Sequence, residues 1–160
     1  MKTPALLMAI LLAPAVSFAG QFNNANALKG LKTVKVVCDV NVGEPKLLLQ
    51  RLTLIDETYT QLIDAGIKPT FVVAFRGPAT NYVTRGTGYV PPESRAIKKK
   101  IQGWVQQFSE NGIVLEQCAI AARSLNVAFQ DILPQITVVR NGYISIVGYQ
   151  NKGYALLPMD

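Results

Sequence analysis

The sequence predicts a single α/β domain built on a largely parallel β-sheet with helices on both faces. Three observations carry that reading. Short β-branched runs such as "TVKVVCDV" alternate along the chain with stretches whose apolar residues recur at three- and four-residue spacing. The runs are apolar at nearly every position instead of every second one, the pattern of strands buried on both faces. No repeat, low-complexity tract or linker interrupts the alternation, so the βαβ units belong to one body.

The elements follow in order. Residues 20–32, with three asparagines, read as a loose N-terminal segment. Thr33–Val40 is the first strand. The next stretch opens with Pro45 in the first helical turn and closes at Gly66, with Leu48, Leu52, Ile55, Tyr59, Leu62 and Ile63 as its apolar stripe. Thr70–Phe75 is a second strand, ending at Arg76-Gly77-Pro78, where a turn or short helix begins. Arg85–Ser94 is a loop by its glycines and paired prolines. Glu93–Glu110 is an amphipathic helix with Ile97, Ile101, Trp104, Val105 and Phe108 on one side. "IVLEQ" is a third strand, "AIAARSL" a small-residue helix beginning beside Cys118, and Ile136–Val139 a fourth strand. The tail admits two readings. Asn141-Gly142 suits a hairpin turn, whereas Ile144 and Val147 at helical spacing, with Gly153 as a cap, favour a helix followed by the strand "YALLP".

The first residues, "MKTPALLMAILLAPAVSFAG", combine an early Lys2, an apolar run too short to span a bilayer, and small residues at Ser17 and Ala19. They read as a secretory signal cleaved after Ala19, with an uncleaved anchor as the alternative. Removing 19 of 160 residues leaves 141, ample for one core. The expected compartment is the periplasm, and no integral membrane span is expected. The formal charge of +6 drops by one when Lys2 leaves. The run Lys98-Lys99-Lys100 reads as a solvated helix face in preference to a patch for anionic partners. It lacks the interleaved aromatics of nucleic-acid binders, so no nucleic-acid partner is expected.

The chain contains no histidine. That removes Ser–His and Cys–His dyads and the commonest zinc ligand, so no metal is expected. With two cysteines and no C-x-x-C, it also lacks a thioredoxin-type motif. "RGTG" at 85–88 has no strand–turn–helix setting and there is no P-loop, so no nucleotide cofactor is expected either. Chemistry must then run on a thiol, carboxylates, lysines or arginines.

In an open parallel sheet ligands bind beyond the carboxyl ends of the strands. Those ends deliver Asp39 and Asn41, then Arg76 and Gly77, then Cys118, then Arg140 and Asn141. A thiol beside arginines and helix starts can be held as the thiolate. The plain alternative is a packed cysteine, since free cysteines are among the most buried residues. Cys38, inside a strand, reads as a core thiol. A Cys38–Cys118 disulfide would need Cα atoms within about 7 Å, and buried strands rarely aim two Cβ atoms that way. Arg76 before Gly77 also has the parts of a small-anion site. Tyr82, Tyr89 and Val90, placed on an exposed loop, would form an apolar patch and favour a homo-oligomer.

Three blocks, "VVAFRGPA", "GIVLEQCAIAARSLNV" and "ILPQITVVRNGYISIVGYQNKGYALLP", together resemble the DsrE/DsrF-like family, and more narrowly its exported branch of intracellular-sulfur-oxidation-type proteins. The resemblance implies a DsrEFH-like three-layer α/β/α sandwich on a parallel five-stranded sheet, spanning residues 33–160 and assembled as a homo-oligomer. It further implies that Cys118, which follows a sheet strand, carries sulfur as a persulfide between donor and acceptor proteins. Cys38 matches no family cysteine. Arg76 stands where the exported branch often carries histidine, and the export signal departs from the cytoplasmic relatives. The expected function is a periplasmic sulfur-handling protein with Cys118 as a persulfide or thiol carrier, a transferase-like role. The alternative is a non-catalytic oligomeric module that binds a small anion or an envelope partner through the same fold.

Overall fold

A computed structural model describes residues 22–160; the stretch read as a signal, with the expected cleavage after Ala19, lies outside the described residues. The chain divides into two units, residues 1–30 and Leu31–Asp160. The described part of the first contains one helical turn, α1 (Ala25–Leu28), whose Ala25 N–H donates to Asn23 Oδ1 at 3.0 Å and which buries no residue.

The second unit is the α/β body. Its strands are β1 (Thr33–Val40), β2 (Lys68–Phe75), β3 (Val114–Cys118), β4 (Thr137–Val139) and β5 (Ala155–Met159). All pair in parallel, in the order β4-β3-β2-β1-β5. The helices are α2 (Pro45–Asp64), α3 (Arg95–Glu110), the short α4 (Ala119–Ser124) and α5 (Gly142–Asn151). This is a five-stranded parallel sheet between helical layers, as expected.

Alternation along each strand sorts the side chains by face. Cys38, Val40, Phe71, Val73, Phe75 and Leu115 join α2 and α3 in the main core, while Val37, Val72 and Ala74 pack with Ile146 of α5 in a smaller one. Two helices thus cover one face and α5 the other. α2 starts where Glu44 accepts from the Lys46 and Leu47 N–H groups ahead of Pro45, and it ends at Gly66, φ +75°. The stripe on α2 is buried through Leu48, Leu52 and Ile55, but Ile63 is half exposed, one turn past the covered surface.

The tail forms the helix α5 and then a strand, not a hairpin. Asn141 caps α5, its Oδ1 accepting from the Tyr143 N–H at 3.0 Å. An Asn-Gly pair can open a helix as readily as a hairpin, and here β5 finds its partner in β1.

Two expectations need correcting. Tyr82 and Val90 are buried, and Tyr89 packs against the core. The segment folds inward, with a bridge between Thr84 and Ile132 and with Tyr89 Oη donating to Asp131 at 2.6 Å, so it presents no apolar patch. The lysine run is not wholly solvated: Lys99 and Lys100 are exposed, whereas Lys98 is 1 % exposed. It starts on the α3 face that turns toward that inward-folded segment.

Candidate functional site

Register brings the expected residues to one sheet edge. Asp39 lies opposite Ala74, and Ala74 opposite Glu116, so Arg76 and Cys118, each two residues further on, fall side by side on the α5 face. The Arg76 N–H continues the ladder by donating to the Val40 carbonyl at 3.0 Å. Cys118 ends β3 opposite Val139, which brings Asn141 and the start of α5 over it.

The contact with α5 is close. A Cβ at Gly142 would lie 3.1 Å from Cys118 Cβ, 3.6 Å from its Sγ and 3.9 Å from Arg76 Cβ. The missing side chain at Gly142 therefore keeps the thiol from being walled in. Cys118 is 4 % exposed and looks into a cleft of about 330 Å³ lined also by Asn41, Arg76, Gly77, Asn141 and Tyr143. Arg140 is exposed and does not line this cleft, because it falls on the opposite side of the chain from Asn141 as β4 ends.

Arg76 is not a free cation. Its Nε and one terminal nitrogen donate to the two carboxylate oxygens of Asp39 at 2.5 and 2.6 Å. The other terminal nitrogen donates to Tyr143 Oη at 2.9 Å, and the guanidinium lies 4.6 Å from that ring's centroid. The Asp39 hydrogen bond holds Arg76 more firmly protonated than usual, against the opposing effect of partial burial; Tyr143 and Cys118 add smaller contributions in the same direction as Asp39. A bidentate pair of this kind fixes the guanidinium plane. It also cancels much of the charge that could act on a thiolate or draw in an anion.

Beneath the cleft, a buried polar chain fixes the turn after β2. Gln117 Nε2 donates to Thr80 Oγ1 at 2.9 Å and to the Cys118 carbonyl at 3.0 Å, and Thr80 Oγ1 donates to the Gly77 carbonyl at 2.7 Å. Gly77 has φ +52°, and a Cβ there would overlap Asn41 Oδ1. Only glycine suits that place.

Glu116 shares the Cys118 face but is turned to α5, where its Oε1 accepts from Tyr149 Oη at 2.8 Å. Burial first, and then that bond, push the Tyr149 hydroxyl up to about 12. Cys38 and Cys118 are both free thiols. They sit on opposite faces with β2 between their strands, which rules out a bond between them in this fold. Burial pushes the Cys38 thiol up to about 12. Among the described residues no three His, Cys, Asp or Glu side chains converge as a metal set, and no helix is long and apolar enough to cross a membrane.

Sequence reasoning did not assign Tyr143 or the pairing of Arg76 with Asp39. The signal present was that Asp39 and Arg76, of opposite charge, lie at the carboxyl ends of the first two strands. What could not be read was the strand order that makes β1 and β2 neighbours.

No family model matches the chain. An uncharacterized protein of Aquifex aeolicus (strain VF5) is 27 % identical over 126 residues, 78 % of this chain, and the match spans 56 % of that relative's length. Two solved structures share the architecture. One is a protein of unknown function, MTH1491 from Methanobacterium thermoautotrophicum, with TM-score 0.63 and 18 % identity over 78 % of this chain and 98 % of that one. The other is the ychN protein from E. coli, with TM-score 0.53 and 9 % identity over 80 % of this chain and 99 % of that one. With its parallel five-stranded sheet and this likeness, the chain has a DsrE/YchN-like fold.

Proposed function

We propose that the chain is a periplasmic sulfur-handling protein of the DsrE/DsrF type in which Cys118 carries sulfur as a persulfide. The observation that carries the reading is the place of Cys118 in the lining of a cleft, against the side-chain-free start of α5 and beside the Arg76–Asp39 pair. The Cys118 thiolate attacks the outer sulfur of a donor persulfide. A new S–S bond forms on Cys118, the donor's S–S bond breaks, and the donor leaves as a thiolate, with no net oxidation. The reverse step hands the sulfur to an acceptor thiol. Arg76 holds Tyr143 at the rim and keeps Asp39 neutralised, so the site tolerates the anionic sulfur that Cys118 would bear.

Exposed Tyr143, Ile144 and Val147 on α5, with Ile120 beside the cleft, supply an apolar rim on which a donor, an acceptor or a second copy of the chain would dock. The alternative, a module that holds a small anion on Arg76, is less well supported because Asp39 already occupies that charge. Alkylation separates the two. Labelling of native Cys38→Ala protein at neutral pH is the expected result for a carrier; labelling only after unfolding would return Cys118 to the core and leave a binding module.

A further inference from the structure

Lys98 differs from its neighbours in α3. It is 1 % exposed, and its Nζ donates to Thr84 Oγ1 at 2.6 Å and lies 5.9 Å from the centre of the Tyr89 ring. No carboxylate pairs with it; among the described residues the ion pair is Arg76–Asp39. A buried ammonium without a counter-charge is costly, and a hydroxyl and a ring face offset only part of that cost. Burial accordingly lowers the Lys98 pKa.

Lys98 lines a cleft of about 440 Å³ together with Arg95, Lys99, Gln102, Gly86 and Thr87. Arg95, Lys98, Lys99 and Gln102 are spaced i, i+3, i+4 and i+7, so three cations share one helix face, an arrangement that repels when left uncompensated. The nearby acids do not balance them. Glu93 precedes the helix outside the lining, and Asp131 is taken up by Tyr89 Oη. Gln102 Nε2 donates to the Thr84 carbonyl at 2.8 Å and braces the Gly86-Thr87 loop over the cleft.

We propose that this cleft, separate from the Cys118 site, binds an oxyanion of the phosphate or sulfate type, with Lys98 at its base and Arg95 and Lys99 at its mouth. The oxyanion supplies the counter-charge that the fold withholds from Lys98.

Calorimetric titration of the mature protein with inorganic phosphate, and with sulfate, against sodium chloride at matched ionic strength tests it. Saturable heat is expected with the oxyanions and not with chloride. Lys98→Met, which keeps length and burial, is expected to weaken binding roughly tenfold or more, the scale of a lost charged hydrogen bond. The exposed pair Arg95→Gln/Lys99→Gln carries the test if Lys98→Met does not fold, and is expected to weaken binding several-fold. Sedimentation with phosphatidylglycerol/phosphatidylcholine vesicles identifies the source. Phosphate heat without sedimentation assigns a free ion, and sedimentation lost in both variants assigns the same phosphate chemistry to a lipid headgroup. Absence of oxyanion heat and of vesicle binding in the wild type, or binding unchanged in the Arg95/Lys99 variant, overturns the proposal.

Discussion

Arg76 and Asp39 act on Cys118 as a dipole more than as a cation, and that changes what their replacement should do. Asp39→Asn releases the guanidinium toward the thiol and is expected to speed native alkylation of Cys118 at fixed pH. Arg76→Met leaves the Asp39 carboxylate unpaired on the same face and is expected to slow it. The changes should be several-fold in each direction, since solvent screens part of the effect of a partly exposed charge. Rates measured in a Cys38→Ala background over a pH series decide it; two changes of the same sign would mean that both residues act only through the shape of the turn. Cys38 itself should stay unlabelled in native protein at pH 9. Its thiol holds its proton more tightly folded, at about 12, than the ordinary 9.0. That contribution to stability is complete below pH 9 and is lost as pH rises toward 12. The slope of stability against alkaline pH is therefore expected to flatten in Cys38→Ala, whatever that variant's absolute stability.

Turns and helix ends set the site at the next scale. Gly77→Ala forces a β-carbon into Asn41 at a positive φ, and is expected to cost about 1–3 kcal/mol in chemical denaturation. A loss near zero would mean that the turn relaxes freely. α5 has apolar residues on every side, yet buries only Gly142 and Ile146. A helix of that kind normally has cover on all faces. If that face docks a second copy of the chain, Ile144→Asp/Val147→Asp is expected to lower the mass seen by light scattering while leaving the helical circular dichroism intact; a wild type already monomeric at micromolar concentration would contradict such self-association. The same uniformity explains why the tail was hard to read from sequence. α5 shows no clean period, so Asn141-Gly142 could be taken for a turn, whereas α2 and α3 announce themselves by stripes and caps. The strands were legible as short β-branched runs, most plainly β2 and β3, which are buried over most of their length, whereas β4 at the sheet edge is only partly covered. The inward fold of Tyr82–Val90 and the burial of Lys98 were not legible, since both depend on a tertiary bridge, Thr84 to Ile132, between residues far apart in the chain.

For the whole molecule, the sheet order gathers the cleft. β1, β2 and β3 are adjacent, so Asp39, Arg76 and Cys118 meet on one face, and the crossing from β4 back to β5 lays the start of α5 over them. Sequence could place each of these residues at a strand end. It could not say that Arg140 would turn away while Tyr143 turned in, because that depends on the angle at which α5 leaves β4. If residues 1–19 act as a signal, protein recovered from the periplasm is expected to begin at Gly20, and intact mass that retains Met1 would contradict that compartment. A sulfur carrier of this kind must take up sulfur on Cys118. Native protein incubated with glutathione persulfide and weighed whole, then as peptides, reads that step. A gain of about 32 Da on the Cys118 peptide, absent from Cys118→Ser, is expected, that being one added sulfur. No gain in the wild type, or an equal gain in Cys118→Ser, would contradict it.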